Sequence, residues 1–488
     1  MSEQDTSASA PDEFPVTSKP DAANRLGTEP IGKLLLSFSI PAITGMLTNA
    51  LYNVVDRIFV GRWVNELALG GLSLVLPLMT VSLAFAMLFG VGAANMISMR
   101  LGQKRKQEAE NALNHCFFLL LGTGVLMLAV GLVFLEPILS LLQAQEGSES
   151  LNYARSYFRI TLYGSVFSMI GFGLSHSTRA QGFPAITMIT MITAALLNII
   201  LDALFIIVFQ WGVEGAAWAT VISQGVAAAW ILKFNLGKKA IIKLKFGSFK
   251  PSLAIVTQIM AFGSAQFLLQ FIMSGIQLLY NTSMGWYGAA ALGIDNGGDV
   301  ALSGMSVVGS IQMLILMPIF GINQGAQPIL GFNYGARQYA RVLRAYLSAI
   351  TAATIICVTG FSLVQLFPVQ LVDIFAPEGS PAFIYFTPRA MRIAMLMLPV
   401  AGFQIVSANL YVVTGRPKLS IFLSMLRQCL LLIPCMLIFG RAVGLWGVIA
   451  AAPFADTFSF LITGVMILFE LKRLRKAAAG NGVMAQSV

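Results

Sequence analysis

Apolar residues in this chain come in long blocks rather than alternating with polar ones. Twelve blocks stand out, at roughly 33–62, 67–99, 109–134, 153–178, 183–209, 213–236, 251–285, 300–331, 339–366, 383–414, 417–440 and 444–470. A block of about 20 residues crosses the hydrocarbon core of a bilayer as a helix. Lipid leaves only helices and closed barrels able to satisfy every backbone group. With such short connections, the pattern predicts an all-α polytopic membrane protein with twelve transmembrane helices.

Composition agrees with a lipid solvent. Of 488 residues, 57% are hydrophobic and 11% charged, against about 25% charged in soluble domains. The net charge of +10 would suggest nucleic acid as a partner, but its placement argues otherwise. Lys and Arg gather in the loops after the second, fourth, sixth, eighth and tenth blocks, as in Arg100-Leu-Gly-Gln-Lys-Arg-Lys106, and again in the tail at Lys472–Lys476. The opposite loops hold little beyond Arg62 and Arg441. That asymmetry predicts both termini in the cytoplasm. Residues 1–29, rich in Ser, Asp, Pro and Ala, read as a disordered cytoplasmic tail, without the short apolar core of a cleaved signal peptide. Cys116, Cys357, Cys429 and Cys435 all fall within apolar blocks and read as small buried residues rather than a disulfide framework.

The two halves repeat. Gly92, Gly102 and Lys104 match Gly325, Gly335 and Arg337 at an offset of 233, as Gly182-Phe-Pro184 matches Gly415-Arg-Pro417. Gly212-Val-Glu-Gly215 matches Gly444-Leu-Trp-Gly447 at an offset of 232. Six helices per half give both halves the same orientation, as in transporters built from parallel repeats around a central cavity. The expected organisation is a tail (1–29), an N-terminal six-helix lobe (30–236), a cytoplasmic linker (237–250), a C-terminal six-helix lobe (251–470) and a second tail (471–488).

Few acids lie well inside the blocks: Asp56, Asp202 and Asp456. An intramembrane carboxylate costs at least about 2.5–3.5 kcal/mol and marks a pathway or a pair. Counting about 1.5 Å per residue from the outer helix ends puts Asp56, Asp202 and Thr220 at one depth, about 10 Å below the outer surface. Asn198 stands one turn from Asp202 on the same face. Two carboxylates, an amide oxygen and a hydroxyl at one level suit a Na+ ion; alternatively, one of two crowded carboxylates holds a proton. Asp456 lies twelve residues into its helix and Arg427 thirteen from the end of the preceding one, which predicts a buried pair of either structural or substrate-path use. Pro41 interrupts the first helix as a fixed bend or a hinge.

Catalytic chemistry is not legible. His115 and His176 are the only histidines and stand far apart, and no HExxH, Walker A or cysteine-rich metal spacing occurs. The chain is therefore expected not to be an enzyme, and to use no cofactor, metal centre or ATP.

These residues resemble the multidrug and toxic compound extrusion (MATE) family. The likeness rests on Pro41 with Asn53-Val-Val-Asp56-Arg-Ile-Phe-Val-Gly61, on Gly92 to Gly102, on Asn198-Ile-Ile-Leu-Asp202, and on Gly212-Val-Glu-Gly215-Ala-Ala-Trp-Ala-Thr220. It covers the chain after residue 29 and is nearest to the DinF-like branch. The resemblance implies two pseudo-symmetric lobes in a bacterial or archaeal cytoplasmic membrane, working as a monomer. It implies export of drugs and organic cations by alternating access, in exchange for Na+ or H+. It gives Asp56, Asn198, Asp202 and Thr220 the cation-coupling roles and Pro41 the helix bend. Gln258, Gln266, Gln270 and Gln277 stand in the seventh helix, and the tenth has no acid, unlike the branch with acids there. Two other readings compete: a flippase of lipid-linked glycans, disfavoured by Arg427 being the one basic residue deep in the bundle, and an uncoupled channel.

Overall fold

The computed structural model describes residues 22–64, 66–141, 149–245, 247, 251–293, 297–374 and 380–485. They form helices α1 (Ala22–Thr28), α2 (Ile31–Trp63), α3 (Glu66–Gly102), α4 (Lys106–Val133), α5 (Leu135–Leu141), α6 (Glu149–Ala180), α7 (Pro184–Asp202) and α8 (Gly212–Leu236) in the first half. The second half holds α9 (Leu253–Leu292), α10 (Gly297–Gly335), α11 (Tyr339–Leu366), α12 (Pro368–Asp373), α13 (Pro381–Ala394), α14 (Leu398–Val413), α15 (Pro417–Met425), α16 (Ile433–Val443) and α17 (Leu445–Ala485). Among the described residues, ten helices are long and apolar enough to cross a membrane, or eleven counting α13 with α14, which meet at 46°. Helix α6 is as long but carries more polar side chains, and it packs between α3, α4 and α8.

Two expectations change, and one is filled in. Residues 22–28 of the stretch read as a disordered tail form α1, and Leu26 within it is fully buried; residues 1–21 lie outside the described residues. The C-terminal tail is helical as far as Ala485, as a continuation of α17. The tenth block is broken at residues 395–397, where Pro399 opens α14, because a helix ends readily just before a proline.

The repeat reaches the backbone. Lys104 and Arg337 both take left-handed conformations (φ 61° and 57°), as do Gly182 and Gly415 (95° and 75°) and Gly212 and Gly444 (60° and 69°). Matching turns therefore reverse the chain at matching places in both lobes.

The lobes meet near the side that carries α1 and the end of α17. There glycines let backbones touch. A Cβ on Gly263 would lie 1.8 Å from the Leu88 carbonyl oxygen, one on Gly102 2.0 Å from that of Phe332, and one on Gly335 2.1 Å from that of Met99. Gln327 Nε2 donates to Asn95 Oδ1 across the seam at 2.8 Å. The pseudo-symmetry shows here too, since Gly102 and Gly335 each receive the other lobe.

Helix α1 belongs covalently to the first lobe but docks on the second. Arg341 of α11 donates from Nη2 to the carbonyls of Leu26 (3.1 Å) and Glu29 (2.7 Å), while Asn333 Nδ2 donates to Leu26 O at 2.9 Å. A cation at a helix C-terminus also meets the favourable end of the dipole. The hydrogen bond from Arg25 holds the Glu29 carboxyl below the usual carboxylate range. That support persists above the ordinary carboxylate pKa and is lost as pH falls through the lowered value. Arg341→Ala removes charge-assisted bonds of about 1.5–3 kcal/mol each. Trypsin cleavage after Arg25, read as a new N-terminus at Leu26 by mass spectrometry, should then quicken by about tenfold or more. An unchanged rate would mean that α1 is held by Leu26 packing alone.

The linker is fastened to the first lobe. Ile242 N donates to Gln181 Oε1, Lys245 N to Asn114 Oδ1, and Ser252 N to His115 Nε2 at 2.9 Å.

Candidate functional site

Helix α7 starts on Pro184, directly after the left-handed Gly182 turn; a proline at the first helical turn loses no hydrogen bond. The helix runs to Asp202 and then widens into a π-helical turn, Ala203–Val208, a form enriched at functional sites. Gln210 and Gly212, both with positive φ, return the chain into α8. This brings Thr220 against Asn198: Asn198 Nδ2 donates to Thr220 Oγ1 at 3.5 Å. Asp202 is fully buried, Asn198 is 1% exposed, and Asp56 of α2 is also buried. Asp56 lies within electrostatic range of Asp202.

Asp202 Oδ1, Asp202 Oδ2 and Asn198 Oδ1 are buried and accept no hydrogen bond from the described residues. Three orphan acceptors, two on a carboxylate, are expensive in an apolar interior. The chemical demand of the site is thus for a cation or a proton.

Tyr157 of α6 also belongs here. It is buried and lies within electrostatic range of Asp56 and Asp202. Sequence reasoning missed it, although the depth count that grouped the others was available. Tyr157 stands eight residues after Glu149, about 12 Å along α6.

A cavity of about 410 Å³ opens beside these groups, bounded by α2, α3, α6, α7 and α8, with Asn198 and Thr220 in its wall. Tyr52, Phe158, Phe167 and Phe172 supply aromatic surface, and no charged side chain lines it among the described residues. Its size falls in the range of small-molecule sites.

Pro41 sits inside α2, which continues unbroken across it. Asp456 and Arg427 are in the other lobe, apart from this cluster. Arg427 lies in a second π-helical turn, Leu426–Leu432, and its Nε and Nη2 donate to the two carboxylate oxygens of Asp456. Gln404 Nε2 of α14 donates to the Asp456 carbonyl at 2.9 Å. Arg427→Leu would strand the carboxylate and cost about 3–5 kcal/mol, whereas the double change to leucine restores most of it. Thermal unfolding in detergent checks this: if the double variant melts no higher than Arg427→Leu, the pair is not what the stability depends on.

Comparison with known proteins places the chain. Residues 41–204 and 266–438 match the sequence profile of the MatE family. Multidrug export protein MepA of Staphylococcus haemolyticus (strain JCSC1435) is 26% identical over 434 residues, 88% of this chain and 91% of that protein. MepA of Staphylococcus aureus (strain MRSA252) is 25% identical over 449 residues, 91% of this chain and 95% of that protein. A crystal structure of a MATE protein in the bent conformation superposes with a TM-score of 0.85 at 25% identity, over 95% of this chain and all of that one. An outward-facing multidrug resistance MATE family transporter of the MOP superfamily gives a TM-score of 0.84 at 25% identity, over 94% of this chain and 99% of that one.

Proposed function

The chain belongs to the MatE family, and from that premise we propose that it exports small amphipathic or cationic compounds in exchange for an inward-moving cation, Na+ or H+. The observation that carries this reading is the fully buried Asp202 carboxylate, whose oxygens find no donor among the described residues. Such a group takes up a cation readily and is left costly when it departs. Asn198, Thr220 and Tyr157 surround the bound cation with neutral oxygens, and Asp56 supplies the second charge.

Coupling follows from a shared wall. Asn198 and Thr220 border both the cation position and the cavity, so a cation that draws the Asn198 oxygen toward Asp202 alters the surface offered to a substrate. Linkage then requires the substrate to alter cation affinity by the same factor. The seam between lobes lies on the side of α1, the linker and the basic loops, which the distribution of Lys and Arg assigns to the cytoplasm. The lobes are then closed toward the cytoplasm, the state in which an exporter releases cargo and reloads its coupling ion.

The test is efflux of a fluorescent organic cation from proteoliposomes under Na+ and H+ gradients imposed separately. Acceleration by one gradient identifies the ion. Equal rates with both gradients collapsed would overturn exchange and leave a facilitated pore.

A further inference from the structure

Six hydroxyls of the first-lobe cavity have their protons committed. Thr161 Oγ1 donates to the Tyr157 carbonyl (2.9 Å), Ser165 Oγ to that of Leu162 (2.7 Å), and Ser168 Oγ to that of Ser165 (3.0 Å). Ser175 Oγ donates to Gly171 O (2.6 Å), Thr190 Oγ1 to Ile186 O (2.8 Å), and Ser223 Oγ to Ala219 O (2.8 Å). All six line the cavity. A carbonyl oxygen can only accept, so in each bond the hydroxyl is the donor, and what it keeps for a ligand is acceptor lone pairs. Asn198 adds a buried oxygen with no donor, while one of its two amide hydrogens is spent on Thr220. Gln224, the second amide hydrogen of Asn198 and the Ser82 hydroxyl remain as unassigned donors among the described residues. The wall therefore offers more acceptor lone pairs than free donors, and carries no formal charge.

We infer that this cavity selects substrates by their N–H groups: planar amines, anilines and amidines that donate several hydrogen bonds, in preference to N-alkylated or quaternary cations of the same charge. This rests on the cavity being the substrate site of the exporter proposed above. It adds a rule that charge alone does not supply. A purely apolar and cationic site ranks the same compounds in the opposite order, because each added methyl increases the apolar area that can be buried.

Proflavine and acridine orange make the comparison. Both are tricyclic monocations at neutral pH, and acridine orange replaces every exocyclic N–H of proflavine by N–CH3. Fluorescence titration of the purified full-length protein in nanodiscs should give proflavine an affinity about tenfold tighter. The triple variant Ser165→Ala, Ser175→Ala, Ser223→Ala should weaken proflavine by about tenfold and acridine orange by less than about twofold. Acridine orange binding as tightly as proflavine, or both dyes weakening together, overturns the inference. If both dyes are exported equally well, the donor rule falls while the efflux reading stands. If neither is bound, the cavity reading falls and this inference with it. Should the triple variant unfold, the two-dye ranking on the unaltered chain decides.

Discussion

Asp202→Asn is expected to give a protein that withstands more heat and no longer couples transport to a gradient. The amide has the shape of the carboxylate without its charge. The group it replaces is fully buried with two oxygens lacking donors, a placement that costs at least about 2.5–3.5 kcal/mol for an intramembrane acid. Removing that cost should raise the unfolding midpoint in Na+-free buffer. Gradient-driven efflux in proteoliposomes should fall to the protein-free background. The paired outcome is informative because general damage would lower both readings. Coupled efflux at the unaltered rate in the variant would remove Asp202 from the mechanism.

Gly263→Ala is expected to open the seam between the lobes. The new Cβ would stand 1.8 Å from the Leu88 carbonyl oxygen, an immobile backbone atom. Relief requires the lobes to part by more than about 1 Å, since ordinary contacts are longer than 3 Å. Overpacking of this kind costs about 1–3 kcal/mol, which shifts a two-state equilibrium roughly 5- to 150-fold. Spin labels at Gln107 and Ala340, both exposed on the side of the seam, should report a population at longer separation. Gly464→Ala, where a Cβ meets nothing within 4 Å, is the matched control. Distance distributions that coincide for Gly263→Ala and the control would show that the seam yields without moving the lobes.

The sequence carried the bundle because lipid permits few alternatives, and the duplication because left-handed turns need glycine or a tolerated substitute at fixed places. Asn198, Asp202 and Thr220 could be grouped from depth alone, since helical rise is constant and the turn between α7 and α8 is short. Arg427 and Asp456 were matched by the same count. What escaped was whatever depends on rotation about a helix axis or on a local break in its period. Tyr157 shares the level of Asp202, but an aromatic in an apolar helix defaults to packing. The π turns after Asp202 and around Arg427 shift the helical phase without a marker residue. The six cavity hydroxyls are ordinary Ser and Thr in the chain; only the carbonyl each one faces turns them into acceptors. Helix α1 was lost in a polar tail because its anchors, Asn333 and Arg341, lie more than 300 residues away.

Helix α2 joins two ends of this molecule, touching the seam at Ser39 and Ile43 and carrying Asp56 to the neighbourhood of Asp202. Fifteen residues separate Pro41 from Asp56, an arm of roughly 22 Å at helical rise. A swing of about 10° at the proline then carries the carboxylate through roughly 4 Å, more than the 2.3–2.6 Å that separates a hard cation from its oxygens. Under the exchange proposed above, a hinge at Pro41 would make the helix a lever, turning a small slip where the lobes touch into the making or breaking of a coordination sphere.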